Sequence, residues 1–189
     1  EDFALLDIQI VRGRGISCAN RKIANLLAML PEATHPVLIL SDSDIRVGPD
    51  YLRRVIAPFQ DPRVGMVTCP YRSGGVRTLG ALWEAFGASA GLAPGFLMAW
   101  KWRPMDFAMG PTIALRREVL EEIGGLEAVA DYLADDFQLG QRVAAAGYRV
   151  ELSDYIVENI LPIETLGQAS ARLVRWGRTI RLCSPAGHV

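Results

Sequence analysis

Two aspartates, Asp42 and Asp44, directly follow a short apolar segment at residues 36–41. Such a segment is typical of a buried strand in a parallel sheet, although a short apolar run alone does not distinguish a strand from a helix. In open α/β sheets, ligands bind beyond the carboxyl ends of the strands. Two carboxylates on one side of an extended chain repel unless a cation lies between them. The pair therefore indicates either a divalent cation with phosphate oxygens on its far side, or a polar turn between a strand and a helix.

A second group of charged residues opens the helix predicted at residues 21–30, for which Asn20 is the expected N-cap. Arg21 and Lys22 place cations in the first turn, where the helix dipole favours anions. A solvated pair would cost only about 0.3–1 kcal/mol per charge. The alternative is that an anion, such as a diphosphate, is held at this helix end.

Two further acids, Asp135 and Asp136, precede a predicted helix that ends near Gly147. Acidic residues are common at helix N-termini, so one of the two is a natural cap for this helix. A role in chemistry is the alternative that the sequence leaves open.

The last predicted helix begins at a capping box formed by Thr165 and Gln168. Along it, arginines recur every three residues and share roughly one face. Such a face is usually solvated, but it also suits phosphate or anionic lipid. The four arginines are Arg172, Arg175, Arg178 and Arg181, and Trp176 stands beside the second of them.

The composition is that of an ordinary globular domain. The chain has 189 residues, of which 50% are hydrophobic and 22% charged, with a net charge of −1, which gives no argument for nucleic-acid binding. Three widely spaced cysteines and two histidines indicate neither a disulfide framework nor a zinc site. No signal peptide is visible, and no run reaches the roughly 18 apolar residues of a membrane-spanning helix.

The predicted elements alternate between strands and helices, which indicates an α/β fold with a mostly parallel sheet flanked by helices. An aromatic-rich segment at residues 74–102 interrupts this order. It predicts a core helix followed by a long loop, or else an apolar surface that lies on a membrane or receives a lipid. Strands are expected at residues 5–11, 36–41, 64–69, 107–115 and 150–160, and helices at 21–30, 49–60, 117–123, up to 147, and from 165 onward.

Four pieces of the chain, in this order and spacing, resemble the ceramide glucosyltransferase family and its bacterial relatives, including hopanoid-associated glycosyltransferases. They are residues 20–26 (NRKIANL), 41–47 (SDSDIRV), 134–137 (ADDF) and 172–176 (RLVRW). The resemblance extends from about residue 6 to residue 181. The RLVRW segment, an Arg-x-x-Arg-Trp pattern, is its most specific part.

The resemblance implies an A-type glycosyltransferase fold with family 2 character and gives the matching residues their expected roles. Asp42 and Asp44 are expected at the metal and the sugar nucleotide, with Asp136 as the catalytic base. Lys22 and Asn25 are expected on the nucleotide side. The expected neighbours of the donor diphosphate and the acceptor entrance are Arg172, Arg175 and Trp176.

The implied activity is inverting transfer of a hexose from a UDP-sugar to a lipid hydroxyl such as that of ceramide, with Mg²⁺ or Mn²⁺ as cofactor. The resemblance also implies a membrane-associated enzyme of glycolipid (sphingolipid) biosynthesis, with its catalytic domain on the cytoplasmic face. Residues 1–189 are expected to form a single catalytic domain of a longer chain, lacking the first strands of the fold. An exposed sheet edge would then invite self-association.

Two alternatives to this enzyme remain open. One is an inactive truncated domain that only associates with membranes or with itself. The other is a nucleotidyltransferase on a similar sheet, for which residues 12–15 (RGRG) are a poor phosphate loop.

Overall fold

The computed structural model describes residues 8–12, 15–102 and 104–183. The helices are α1 (Arg21–Met29), α2 (Tyr51–Ile56), α3 (Leu79–Gly87), α4 (Ala93–Trp102), α5 (Arg117–Glu122), α6 (Asp135–Ala145) and α7 (Leu166–Cys183). The strands are β1 (Val37–Ser41), β2 (Ile45–Arg46), β3 (Val64–Thr68), β4 (Tyr71–Gly74), β5 (Thr112–Arg116), β6 (Arg149–Leu152) and β7 (Val157–Ile160). Short 3₁₀ turns follow α1 and α2, and another precedes α6.

The strands form two sheets, of order β1-β5-β3-β6 and β2-β7-β4. In the larger sheet β5 pairs antiparallel with both β1 and β3, while β3 pairs parallel with β6. Three of its four strands therefore run in one direction, and β5 runs against them. The predicted α/β class is confirmed, although the antiparallel insertion of β5 was not predicted.

The larger sheet is packed on both faces. Side chains alternate across a strand, so Ile113 and Leu115 of β5 face one core and Ala114 faces the other. The first core also contains Ile23 of α1 and Leu139 of α6, and the second contains Val55 of α2 and Val67 of β3. Helices α1 and α6 are thereby held on the same side of the sheet.

The long loop predicted within residues 74–102 is wrong, because most of this segment is helical. Helices α3 and α4 follow each other through a π-helical segment at Ala88–Leu92. Many of their large side chains remain exposed, among them Leu79, Trp83, Phe86, Met98 and Trp102. Across the described ranges, no helix combines the length and apolar character needed to span a bilayer.

Two predicted strands are wrong or shorter than expected. Residues 8–11 belong to no strand, and residues 5–7 lie outside the described residues. The strand expected at 107–115 begins only at Thr112, because residues 107–111 form an irregular segment beside α6. That segment carries Gly110 and Pro111 to the end of β1.

Candidate active site

Asp42 lies where the sequence places it, one residue beyond the end of β1. Its backbone N–H donates to the carbonyl of Pro111 at 3.2 Å, which attaches the end of β1 to the irregular segment before β5. The Asp42 side chain is 37% exposed. A carboxylate at the edge of the sheet is therefore held in position while remaining accessible to solvent.

Lys22 is the residue that joins the separate acidic segments. Its Nζ lies 2.7 Å from Asp42 Oδ1 and 4.0 Å from Asp135 Oδ2, and it donates to the carbonyl of Gly110 at 3.2 Å. Burial lowers the pKa of Lys22, but the hydrogen bond to Asp42 and the surrounding carboxylates outweigh burial, so its pKa lies above the ordinary value. The anions held at this helix end are therefore carboxylates of the protein itself.

Asn20 fixes α1 to the start of α6. Its side-chain oxygen accepts from the N–H groups of Lys22 and Ile23, which confirms it as the N-cap. Its side-chain nitrogen donates to Asp135 Oδ1 at 3.0 Å and to the carbonyl of Tyr132 at 2.9 Å. Because Ala134 is the N-cap residue of α6, Asp135 is not the helix cap. Instead, Asp135 is the buried acceptor that connects the two helices.

Asp136 occupies the neighbouring position and faces the irregular segment. Its Oδ1 accepts from the N–H of Phe137 at 2.8 Å, and a Cβ added to Gly110 would lie 3.1 Å from its Oδ2. Burial and the neighbouring charge of Asp135 raise its pKa, against the opposing effects of nearby N–H groups and Lys22. Asp136 is partly exposed. It therefore has the raised proton affinity and the access that a general base needs.

The position of Asp136 depends on how closely α6 approaches the irregular segment. Gly140, one helical turn after Asp136, lies so close to Phe107 that a Cβ there would overlap the Phe107 Cα. The segment is also fixed from the sheet, since the N–H of Met109 donates to the hydroxyl oxygen of buried Thr68 at 2.8 Å. These contacts bring five residues together, which we call the Lys22 cluster: Lys22, Asp42, Gly110, Asp135 and Asp136.

The arginines of α7 do not share one face. Residues three apart on an α-helix differ by about 60° in direction, so a three-residue repeat turns halfway round the helix over three steps. Arg172 is partly buried, and its guanidinium contacts Glu84 Oε1 at 3.4 Å and Glu164 Oε2 at 2.6 Å. Trp176 is half-buried, whereas the remaining three arginines are exposed: Arg175, Arg178 and Arg181. The predicted capping box is confirmed by reciprocal bonds between Thr165 and Gln168.

The sequence profile of glycosyl transferase family 21 matches residues 1–189, the whole chain. The chain belongs to glycosyl transferase family 21. The predicted likeness to the ceramide glucosyltransferases is confirmed by a curated relative, ceramide glucosyltransferase 3 of Caenorhabditis elegans. It is 25% identical over 181 residues, which are 92% of this chain and 38% of the relative. The family 21 chain thus spans well under half the length of that protein.

A solved structure shows the same fold. A mannosyltransferase from Pyrobaculum calidifontis, solved in complex with GDP-Man and Mn²⁺, superposes with a TM-score of 0.53 at 23% identity. The match covers 82% of the family 21 chain and 42% of the mannosyltransferase. At this identity the likeness is one of fold alone, and it agrees with the predicted A-type glycosyltransferase architecture.

Asp44 lies apart from Asp42 in its surroundings. Residues 42–44 form a turn rather than a continuation of β1, so the alternation expected of an extended chain does not apply to this pair. The Asp44 carbonyl accepts from the N–H of Ile160 at 2.8 Å, and its exposed carboxylate adds to the negative potential at Glu84. The family 21 chain therefore brings Lys22, Asp42 and Asp136 into one cluster and places Asp44 beside it, on the Glu84 side.

The acidic residues of the family 21 chain suit a cation shared with a ligand. Within residues 8–12, 15–102 and 104–183, no three His, Cys, Asp or Glu side chains are grouped to hold a metal. Mg²⁺ commonly uses only one or two carboxylates and completes its shell with waters and phosphate oxygens. Asp42 Oδ2 and the exposed Asp44 carboxylate make no hydrogen bond with other described residues. These oxygens fit such a cation.

Three residues near the site were not predicted by sequence reasoning. Gly110 contributes its backbone between Lys22 and Asp136. Tyr71 is close enough for burial and the charges of Asp136 and Glu84 to raise its pKa to about 12. Cys183, at the end of α7, also has a raised pKa through burial and the charge of Asp136.

Asn25, expected on the nucleotide side, is exposed on α1.

Proposed function

We propose that this chain is a catalytic domain that transfers a hexose from a UDP-sugar to a lipid hydroxyl with inversion at the sugar carbon. The observation that carries the proposal is the arrangement of Asp42 and Asp136 around Lys22 and Gly110, in a chain of glycosyl transferase family 21. It supports the proposal because Asp42 would bind the cation and Asp136 would act as the general base, and both belong to the Lys22 cluster. Those are the two functions that inverting sugar transfer from a nucleotide diphosphate requires.

Asp42 and Asp44 would hold the divalent cation, Mg²⁺ or Mn²⁺, through their unpaired carboxylate oxygens. When bound, such a cation stabilises the negative charge that develops on the departing diphosphate. The Lys22 ammonium lies against Asp42 and already balances part of the acidic charge there. Since the Lys22 side chain is 31% exposed, its ammonium is also accessible to a phosphate oxygen of the donor.

Asp136 acts as the base for the acceptor. As the acceptor oxygen bonds to the anomeric carbon, the hydroxyl proton passes to the Asp136 carboxylate, and the bond from that carbon to the diphosphate breaks with its electron pair. The N–H of Phe137 and the charge of Lys22 stabilise the ionised form, while burial and Asp135 favour the protonated form. Such opposing effects keep a base reactive without leaving it permanently protonated.

The exposed apolar surface of α3 and α4 is proposed to face the lipid acceptor and the cytoplasmic surface of a membrane. Trp83 and Phe86 stack with ring centroids 6.4 Å apart, and both are largely exposed. Trp100 and Trp102 continue the apolar surface on α4. Aromatic side chains are favoured where one part of a protein meets lipid and another meets water. Two exposed arginines of α7, Arg178 and Arg181, add cationic charge that suits anionic lipid headgroups.

Donor binding and product formation test this proposal in the full-length protein. We expect UDP to raise the unfolding midpoint only when Mn²⁺ or Mg²⁺ is present, and GDP to do so less. With radiolabelled UDP-sugars and a panel of ceramide, hopanoid and diacylglycerol acceptors, we expect a labelled lipid product of inverted configuration. If UDP does not change the unfolding midpoint and no labelled lipid forms, the proposal is contradicted. That result would favour the inactive, membrane-associating alternative.

A further inference from the structure

A second group of charged residues lies between α3 and α7. Glu84 is on α3 and is 1% exposed, and Glu164 precedes α7 and is 8% exposed. Arg172 lies between them, with Nη1 3.4 Å from both oxygens of Glu84 and Nη2 2.6 Å from Glu164 Oε2. We call these three residues the Arg172 cluster.

Close backbone packing creates this cluster. A Cβ on Gly80, one helical turn before Glu84, would lie 2.5 Å from the carbonyl oxygen of Glu164 and 2.6 Å from that of Thr165. Only a glycine allows α3 to approach the start of α7 so closely. On the same side of α3, a Cβ on Gly87 would contact the Leu173 side chain at 3.1 Å. The two helices are therefore in close contact on both sides of the charged residues.

The two carboxylates depend on Arg172 for most of their polar contacts. Glu84 Oε2 and Glu164 Oε1 are buried and have no hydrogen-bond partner among the described residues. Burial, together with the neighbouring Glu164 carboxyl, raises the pKa of Glu84 to about 7. Part of the Glu84 population is therefore protonated near neutral pH, which lessens the negative charge that the Arg172 guanidinium must balance.

We propose that Arg172 is a positioning residue that sets the rotation of α7, and that it is not a ligand of the donor diphosphate. Successive residues on an α-helix differ by 100°, so Arg175 and Trp176 project about 60° and 40° to either side of Arg172. Fixing Arg172 against α3 therefore fixes the directions of both. Arg175 is exposed and forms no ion pair with any other described residue, so its guanidinium remains available for the diphosphate. The donor-facing part of this inference rests on the proposed function.

A charge-rescue experiment in the full-length protein separates the two roles of Arg172. Arg172→Met leaves a buried carboxylate without its partner, which is strongly destabilising, whereas replacing both partners by neutral side chains of similar volume is often tolerated. A positioning residue can therefore be rescued by neutralising its partner. A diphosphate ligand cannot, because its lost contact is with the nucleotide.

We expect Arg172→Met to weaken UDP binding in Mn²⁺ by about tenfold, and Arg172→Met with Glu164→Gln to recover affinity to within about threefold of the unaltered protein. The matched control is Arg175→Met, whose loss of UDP affinity Glu164→Gln should not recover. Donor KM should follow the same pattern, measured well below the unfolding midpoint of every variant. A double variant that binds UDP no better than Arg172→Met would overturn the inference.

Two further measurements keep the outcome decisive. If Arg172→Met does not fold, Arg172→Lys retains the charge without the planar guanidinium and should show a smaller loss that Glu164→Gln does not worsen. A double-mutant cycle on unfolding free energy should show coupling between Arg172 and Glu164, and additivity there would contradict the positioning role. Failure of the unaltered protein to bind UDP would instead overturn the proposed function, while the unfolding cycle would still test the contact between α3 and α7.

Discussion

The Lys22 cluster and the Arg172 cluster have the same composition, a single cation flanked by carboxylates. They also share a packing feature. In each cluster, one acidic residue lies one helical turn from a glycine, and another backbone segment packs closely against that glycine. Asp136 and Gly140 form this pair on α6, and Glu84 and Gly80 form it on α3. The two clusters differ in their exposure to solvent.

Exposure determines what each cluster can do. Lys22 and Asp42 are 31% and 37% exposed, so a ligand can replace their mutual contact with modest loss. The carboxylates bound by Arg172 are almost completely buried, and removing one partner leaves an uncompensated charge in the protein interior. The exposed cluster is therefore suited to chemistry with a substrate, and the buried cluster to holding two helices in register.

Apart from replacement of Asp136 itself, the largest effect is expected at the glycine that positions Asp136. In Gly140→Ala the new methyl group overlaps the backbone of Phe107, so α6 must move away from the irregular segment. Overpacking of this kind costs about 1–3 kcal/mol of stability, and a shift of about 1 Å in a catalytic group can reduce the rate about 100-fold. Chemical denaturation and kcat measurements test both effects.

The control for that substitution is Gly177→Ala on α7. Gly177 is also inside a helix, but no atom lies within 4 Å of an added Cβ. Alanine is the better helix former there by about 1 kcal/mol, so this variant should be more stable than the unaltered protein. Equal effects at the two glycines would show that the close approach of α6 is unimportant.

Removing the positive charge of Lys22 should change the pH dependence of transfer. The charge of Lys22 lowers the pKa of Asp136, so Lys22→Met should raise that pKa further. A base with a higher pKa becomes ionised only at higher pH, and the acidic limb of the kcat/KM profile should therefore move to higher pH. We expect about a tenfold loss of kcat/KM near pH 6, with Lys22→Arg retaining the original limb. An unchanged limb in Lys22→Met would contradict the effect of the Lys22 charge on Asp136.

A smaller effect, on stability alone, is expected in the buried cluster. The pKa of Glu84 is raised to about 7 in the folded chain, against an ordinary value of 4.5. The folded state therefore binds a proton that the unfolded state releases, and this contribution is complete below pH 4.5 and lost as the pH rises through 7. Glu84→Gln should remove that loss, on the order of 1–3 kcal/mol between pH 5 and pH 8. Parallel pH–stability curves for the two proteins would contradict the raised pKa of Glu84.

Local signals allowed much of the Lys22 cluster to be predicted. The N-cap at Asn20 and the end of β1 before Asp42 depend on residues adjacent in sequence, and both were identified correctly. The capping box at the start of α7 was predicted for the same reason. Which acids share Lys22 was not predicted, because Asp42 and Asp135 are brought to it only by the packing of α1 and α6 on one face of the sheet.

The Arg172 cluster illustrates what sequence patterns do not contain. Glu84 lies in an otherwise apolar helix and is separated from Arg172 by 88 residues. A repeat of arginines suggested one face, but the 3.6-residue period of the helix turns Arg172 inward and Arg181 outward. The antiparallel insertion of β5 was missed for a similar reason, since alternating strand and helix patterns do not specify strand direction.

The central claim is that Asp136 removes the acceptor proton while the donor is bound at Asp42. Asp136→Asn preserves the size of the side chain and abolishes its basicity, so it tests that claim most directly in the full-length protein. We predict that transfer falls by about 10²–10⁴ while UDP affinity in Mn²⁺ stays within about twofold of the unaltered protein. Transfer at a near-normal rate by Asp136→Asn would contradict the account.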